Sequence, residues 1–293
     1  MSAKIRLLSG TGNRFAMIDA ITDPAPRDPA ALARALCASA GAGASSSPGA
    51  SGGAGPRLDG LLLVLPAHSG GDVRMQLYNA DGSAAETCGN GLRCVAKFAY
   101  ERRLVTSRDF VVEDASGLHL SRVEPASGAI QSATVSMRRP RILARDERIE
   151  LAGASGAHTV AGMRIDVGNP HFVVLVDDVA SAPVTTDGPR LEQHALFPAG
   201  TNVEFVALRA GRWDVRVWER GVGETEACGS GACAVAAALV DLGRARLPVD
   251  LHLPGGVLRI AENVDGTYAL FGTVEDLGER ELPRILPTAA SAG

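Results

Sequence analysis

Two cysteines in this chain stand where a thiol could carry out chemistry. Cys88 and Cys228, which are 140 residues apart, each precede a Gly-x-Gly tripeptide that leads into small apolar residues. The glycines allow a tight turn, and the apolar run predicts a helix that begins just after the cysteine. The first N–H groups of a helix have no partner within it, so this position favours a thiolate and can also hold a carboxylate. Each motif therefore combines an anion site with a proton-transfer group.

Two such thiols on opposite sides of one substrate carbon could remove a proton from one face and deliver a proton to the other. That reaction is racemisation or epimerisation. The helix dipole alone is too weak to create the thiolate, because it is worth at most about 2 kcal/mol, which lowers a thiol pKa by about 1.5 units. Other groups must assist the thiols, and the two cysteines are expected to titrate as a coupled pair.

The composition limits which partners the protein can have. The 293 residues carry 29 Lys and Arg against 33 Asp and Glu, and this net charge of −4 favours neither nucleic acid nor an acidic membrane surface. No signal peptide is visible and no run approaches the ~20 apolar residues of a membrane span, so we predict a cytoplasmic enzyme with a small-molecule substrate. Lys4 and Lys97 are the only lysines that could form a pyridoxal Schiff base. The cysteine and histidine spacings match no metal site, and we predict neither metal nor cofactor.

The chain repeats in two halves, which indicates two similar domains. Asn13 precedes Cys88 by 75 residues, and Asn169, in a matching Gly-Asn turn, precedes Cys228 by 59 residues. The difference of 16 is close to the length of a Gly-, Ala- and Ser-rich stretch at about residues 39–56. We interpret that stretch as an inserted, mobile surface loop. The site is then expected in the cleft between the two domains.

Local patterns predict further elements that would position the motifs. The alanine-rich stretch Pro29–Cys37 predicts a helix, and a second helix is predicted near Gly188–Ala195. A hairpin is predicted around Ser116-Gly117, between strands at Phe110–Glu113 and Leu118–Val123.

Five motifs, in order and over nearly the whole chain, resemble those of the diaminopimelate epimerase family. They are Asn79–Cys94, Gly168–His171, Phe197–Phe205, Trp218–Cys233 and Pro254–Gly256. The resemblance implies an isomerase that needs no pyridoxal phosphate and converts LL-2,6-diaminoheptanedioate to its meso isomer. In bacteria that product serves lysine and peptidoglycan biosynthesis.

The resemblance also assigns roles to individual residues. Cys88 and Cys228 match the acid and base, and His171 and Glu219 match positions that assist the two thiols. The pairs Gly89-Asn90 and Gly229-Ser230 match those whose backbone groups hold the carboxylate at the reacting carbon. The other positions that match substrate-binding residues are Asn13, Asn79, Asn169, Asn202, Glu219 and Arg220.

The same resemblance implies the fold. We expect an α/β (α+β) protein with two pseudo-symmetric domains, each a mixed β-sheet wrapped around a central helix, and the active site in the cleft between them. The N-terminal domain is predicted to span residues 1–132 and to be completed by a C-terminal segment at about residues 274–293. The C-terminal domain is predicted to span residues 133–273. A homodimer is expected by analogy only.

Two other functions fit the residues. The family usually has a histidine and an aspartate where this chain has Ser9 and Arg14, and these departures leave open a related cofactor-independent racemase or isomerase with another amino acid substrate. The third hypothesis is a non-catalytic thiol module in which Cys88 and Cys228 form a regulatory disulfide. Activity that survives Cys88→Ala or Cys228→Ala would rule out the first two hypotheses.

Overall fold

A computed structural model describes residues 4–41, 57–85, 87–126, 129–152 and 156–281. Residues 42–56, which make up most of the stretch predicted to be a mobile insertion, lie outside these ranges. Residues 282–293 of the predicted C-terminal segment also lie outside them. Within the described ranges the chain forms 17 strands and four helices.

The two halves contain the same elements in the same order. The first half comprises β1 (Lys4–Gly10), β2 (Asn13–Asp19), α1 (Pro29–Gly41), β3 (Gly60–Pro66), β4 (Val73–Asn79), β5 (Ala84–Ala85), α2 (Gly89–Glu101), β6 (Asp109–Asp114), β7 (Gly117–Ala126) and β8 (Ala129–Met137). After β9 (Arg141–Leu151), the second half comprises β10 (His158–Asp166), β11 (Pro170–Leu175), α3 (Val184–Glu192), β12 (Asn202–Arg209), β13 (Arg212–Glu219), β14 (Gly223–Thr225), α4 (Gly229–Asp241), β15 (Val249–Leu253), β16 (Gly256–Glu262) and β17 (Tyr268–Glu281). The helix predicted from Pro29 and the hairpin predicted around Ser116-Gly117 are confirmed.

Strand pairing repeats between the halves as well. β1 and β2 are antiparallel, as are β10 and β11. β2 runs parallel to β3, and β11 runs parallel to β12. Parallel pairs recur between β4 and β6 and between β13 and β15. Each half therefore contains a mixed sheet, as the sequence predicts.

The last strand of the chain joins the two halves. β17 pairs with β16 of the second half and, over Tyr268–Thr273, with β8 of the first half. Its final part, Val274–Glu281, pairs with β1. β9 likewise continues from the first half and pairs with β10 of the second. The exact domain limits stay a prediction, but the pairing of β17 with β1 is the kind of contact that a C-terminal segment completing the first domain requires.

One helix of each half is enclosed by its sheet. α2 is buried over Gly89–Ala99 and α4 over Gly229–Leu239. The stretch in α4 is almost entirely small and apolar, which is typical of a core helix, whereas the stretch in α2 also buries Asn90, Arg93 and Lys97. The outer helices α1 and α3 pack on separate apolar clusters, through Leu36 and Leu191 respectively. No helix in the described part of the chain is long and apolar enough to cross a membrane.

The sequence predicts a helix near Gly188–Ala195. The helix observed there, α3, spans Val184–Glu192 and therefore begins four residues earlier than predicted. Val184 is fully buried in the outer cluster of the second half. The carboxylate of Asp187 lies 2.8 Å from Nε2 of His158 on β10. These contacts with distant residues hold the first turn, and local spacing does not report them.

The N-termini of the two enclosed helices meet at the junction of the halves. A Cβ atom built on Gly229 would lie 3.2 Å from Cα of Gly89 and 2.8 Å from Cδ2 of Leu270. A Cβ atom on Gly89 would lie 2.6 Å from the same Leu270 atom. Only glycine permits this approach, so the start of α2 and the start of α4 lie in van der Waals contact.

Replacing Gly229 by alanine is expected to destabilise the protein. The added methyl group must displace backbone at Gly89 or the Leu270 side chain, and such overpacking costs about 1–3 kcal/mol. Urea unfolding measures the change in the free energy of unfolding. Gly91→Ala is the matched control, because its Cβ would meet its neighbours at 3.4–3.5 Å, an ordinary contact distance, and alanine favours the helix. Equal destabilisation by the two variants would contradict the close approach.

Candidate active site

Each of the two cysteines caps one enclosed helix. Cys88 is the N-cap of α2, and its Sγ accepts a hydrogen bond from the Gly91 N–H at 3.4 Å. Cys228 is the N-cap of α4, and its Sγ accepts from the Gly231 N–H at 3.3 Å. All five cysteines are free thiols. Because the two helix starts are in contact, both capping thiols belong to one site at the positive ends of two helices.

A cavity of about 370 Å³ opens beside Cys88. Six of the predicted site residues line it: Asn79, Cys88, Asn169, Asn202, Glu219 and Arg220. Cys228 lies behind this lining, only 7% exposed, and its thiol hydrogen-bonds to the carboxylate of Glu219. The cavity is therefore lined by residues of both halves and by Cys88, and Glu219 connects its lining to Cys228.

Side-chain amides connect the two helix starts. The Nδ2 group of Asn90 donates to Oδ1 of Asn13 at 2.6 Å and to the carbonyl of Ala227 at 3.1 Å. Ala227 immediately precedes Cys228. Asn90 of the first half is thus tied directly to the second cysteine motif, and Asn13 is tied to it through Asn90.

Two further predicted residues connect to Cys228, and others hold the cavity wall. Nδ2 of Asn169 donates to Oγ of Ser230 at 3.4 Å, and that hydroxyl lies 3.5 Å from Sγ of Cys228. Oδ1 of Asn202 accepts the Arg220 N–H at 3.0 Å, which fixes the backbone at the cavity wall. Asn79, on the first-half side of the same cavity, donates to Ser83 at 3.0 Å.

His171 is enclosed by polar partners other than the cysteines. Its Nδ1 lies 2.7 Å from Oε1 of Glu204 and its Nε2 lies 3.0 Å from Oδ1 of Asn169. Both His171 and Glu204 are buried. His171 is therefore linked to Cys228 through Asn169 and Ser230. Glu204 received no role from the sequence, although its position two residues after Asn202 on β12 places both side chains on one face of the strand.

A histidine that the sequence left without a role also lines the cavity. Nε2 of His119 lies 3.0 Å from Oδ1 of Asp114, and its Nδ1 lies 2.7 Å from the Ser136 carbonyl. Burial lowers the pKa of His119, but the hydrogen bond and charge of Asp114 outweigh it and raise the pKa overall. Asp114 also accepts a hydrogen bond from Thr87, the residue before Cys88. No group of three His, Cys, Asp or Glu side chains among the described residues could hold a metal ion.

Burial and neighbouring carboxylates disfavour both thiolates in this state. Burial raises the pKa of Cys88 to about 11, with the charge of Glu219 adding to the effect and the Gly91 N–H opposing it. The pKa of Cys228 lies well above its ordinary value because of burial, followed by the charges of Glu219 and Glu204. Burial also raises the pKa of Glu219, against the hydrogen bonds from Thr225 and Cys228. Both cysteines are therefore thiols at neutral pH.

The two positions that depart from the family pattern lie off the cavity. Ser9 is buried on β1, opposite Arg14 of β2. The Arg14 guanidinium lies 3.8 Å from Oε1 of Glu226, and its backbone N–H donates to Asp59 at 2.8 Å. Neither residue lines the cavity, so these departures change the region beside the second cysteine motif rather than the cavity wall.

Comparison with known proteins finds relatives along nearly the whole chain. A family model described as diaminopimelate epimerase matches residues 7–142 and 163–279. The chain is 40% identical over 289 residues to the diaminopimelate epimerase of Moorella thermoacetica, which covers 94% of this chain and 98% of that protein. It is 42% identical over 285 residues to the diaminopimelate epimerase of Desulforudis audaxviator, with 92% and 95% covered.

Solved structures of lower sequence identity share the fold. A probable proline racemase from Agrobacterium radiobacter has a TM-score of 0.67 at 17% identity and covers 98% of this chain and 94% of that one. A predicted epimerase from Pseudomonas aeruginosa has a TM-score of 0.67 at 18% identity, with 96% and 99% covered. These similarities concern the fold alone, and they confirm the two-domain, mixed α and β class predicted from the sequence.

Replacing Glu219 by glutamine is expected to make Cys228 easier to ionise. The neutral amide removes a negative charge that raises the pKa of Cys228, so that pKa should fall. The measurement is the pH dependence of iodoacetamide alkylation at Cys228, followed by peptide mass spectrometry. Glu224→Gln is the matched control, because Glu224 pairs with Arg216 at 2.7 Å and should leave the Cys228 profile unchanged. An unchanged profile in Glu219→Gln would rule out this electrostatic coupling.

Proposed function

The chain belongs to the diaminopimelate epimerase family of isomerases, and on that premise we propose that it converts LL-2,6-diaminoheptanedioate to the meso isomer with two cysteines and no cofactor. The observation that carries the proposal is the pair of thiols, Cys88 and Cys228, each capping a helix at the point where the two helices meet. A reaction that inverts one carbon needs a proton acceptor and a proton donor on opposite faces, and this arrangement can supply both.

The helix starts would hold the carboxylate at the reacting carbon. The first N–H groups of α2 and α4 belong to Gly89-Asn90 and Gly229-Ser230, and a helix N-terminus binds an anion without a basic side chain. These N–H groups also stabilise the negative charge that develops on the carboxylate when the α-proton leaves. The same groups that bind the substrate thus favour the transition state.

In the reaction, one sulfur takes the α-proton while the C–H bond breaks, and the thiol on the other face gives its proton as the new C–H bond forms. The thiolate must be made within the site, because both cysteines are protonated in this state. Burial raises the pKa of Glu219 towards that of a thiol. Transfer of the Cys228 proton to this carboxylate is therefore easier than transfer to an ordinary glutamate. The substrate ammonium group adds a positive charge that further favours a thiolate.

The other end of the substrate would lie along the cavity lining. An ammonium group hydrogen-bonds to carbonyl and carboxylate oxygens, whereas a carboxylate pairs well with the planar guanidinium group of arginine. Asn79, Asn169 and Asn202 provide amide groups, and Arg220 provides the guanidinium at the exposed rim of the cavity. We propose that these four residues read the distal amino acid end, which distinguishes this substrate from a simple amino acid.

Single cysteine variants test the reaction. Reduced protein is incubated in deuterated water with LL-2,6-diaminoheptanedioate and no pyridoxal phosphate, and mass spectrometry with chiral separation follows the product. The native protein should incorporate one deuterium at the inverted carbon. Cys88→Ala and Cys228→Ala should each lower turnover by about 10²–10⁴-fold, the range for loss of a general acid or base.

Cys37→Ala is the control for these variants, because Cys37 is a buried thiol of the outer cluster on α1 and should leave turnover unchanged. Native turnover in either site variant would refute the two-cysteine reaction. An inert diaminoheptanedioate together with label in another amino acid would instead support the related racemase.

Arg220→Gln tests recognition of the distal carboxylate. Loss of a charge-assisted hydrogen bond is worth about 1.5–3 kcal/mol, so KM should rise about 10–100-fold with a smaller change in kcat. Steady-state kinetics measures both constants. The control is Arg209→Gln, an exposed arginine at the end of β12, which should leave KM as it is. A large fall in kcat at constant KM would place Arg220 elsewhere in the mechanism.

A further inference from the structure

A buried arginine lies directly behind the cysteine site. Arg93, on α2, is fully enclosed and is the largest side chain buried to this degree among the described residues. Its Nη2 donates to Oγ1 of Thr11 and to Oδ1 of Asn90, both at 2.8 Å, and its Nη1 donates to the Gly89 carbonyl at 3.3 Å. Its Nε has no hydrogen-bond partner. None of these partners is an anion.

The charge of Arg93 is uncompensated by any carboxylate of the described residues. Burial lowers the pKa of Arg93 to about 10, and the groups that oppose this effect, when they are ionised, are the thiols of Cys94, Cys88 and Cys233. The guanidinium therefore keeps its charge at neutral pH. A buried cation is strongly destabilising unless a negative charge is nearby. An anion formed or bound at the adjacent helix starts would meet that requirement.

Arg93 also decides which way the Asn90 side chain faces. A guanidinium can only donate hydrogen bonds, so the Asn90 atom that faces it must be the acceptor Oδ1. The Nδ2 group of Asn90 therefore points away from Arg93. That Nδ2 group is the one that reaches Asn13 and the Ala227 carbonyl. The opposite amide orientation would place two donors against each other and break the connection to the residue before Cys228.

We propose that Arg93 is a positioning residue of the cysteine site, which orients the Asn90 amide that joins the two helix starts and places a permanent positive charge behind Cys88. The expected effect of Arg93 on catalysis rests on the proposed function. The position that matches Arg93 in the second motif is Cys233, so Cys228 has no equivalent cation. Of the charged side chains that act on Cys88, Glu219 raises its pKa and Arg93 lowers it.

Two variants of Arg93 and one control test this role. Arg93→Gln removes the charge, and Arg93→Lys keeps the charge but offers a compact ammonium in place of the planar fork. Lys97→Met is the matched control, because Lys97 is a buried cation on the same helix that pairs with Glu101 at 2.9 Å instead. The readout is alkylation of Cys88 by iodoacetamide as a function of pH, with peptide mass spectrometry. It needs no substrate.

The glutamine variant should slow Cys88 alkylation at pH 8 about tenfold, which corresponds to a rise of about one pKa unit. The lysine variant should keep the native alkylation profile while kcat falls at least about tenfold, because the ammonium cannot orient Asn90 as the fork does. Lys97→Met should change thermal stability but not the Cys88 profile.

An unchanged profile in Arg93→Gln, or an equal change in Lys97→Met, overturns the proposal. If Arg93→Gln does not fold, as judged by circular dichroism, Arg93→Lys decides, and native kcat in that variant overturns the positioning role. Because alkylation is independent of turnover, a protein that fails to epimerise diaminoheptanedioate would refute the proposed function and leave this result standing.

Discussion

The contact between two helix N-termini is the constraint on which the whole site depends. Gly89 and Gly229 meet backbone to backbone, and a side chain on either would collide with Leu270. This contact gives the capping thiols of two helices, far apart in sequence, a shared location. It also brings two positive helix ends to bear on one small volume. Neither half alone holds two thiols at helix N-termini, so the proposed reaction requires both halves.

The halves are alike in backbone but opposite in the charge they place near their thiols. Glu219 raises the pKa of both thiols, but Cys88 also has the buried guanidinium of Arg93 behind it, whereas Cys228 has the second carboxylate of Glu204. A cation favours a thiolate, and a carboxylate favours the neutral thiol. The two thiols therefore meet different sets of charges. A repeated backbone thus carries two cysteines in unequal electrostatic surroundings.

Short sequence motifs predicted the cysteines and their backbone surroundings because each thiol caps the helix that follows it in the chain. The repeat also indicated the paired turns and the two enclosed helices. Other parts of the site depend on contacts between distant residues, which local patterns do not encode. Arg93 hydrogen-bonds to Thr11, which is 82 residues away in the chain, and His171 hydrogen-bonds to Glu204, which is 33 residues away. For the same reason α3 begins earlier than its local spacing predicts.

The strand that joins the halves also packs against both helix starts. Leu270 lies on β17, where it pairs with Ile260 of β16 in the second half and Val135 of β8 in the first. Its side chain packs against both helix starts, so one continuous strand fixes the spacing beneath the two thiols. The helix starts are thus held by a strand that pairs with both halves, whereas Arg220 lies at the exposed rim of the cavity.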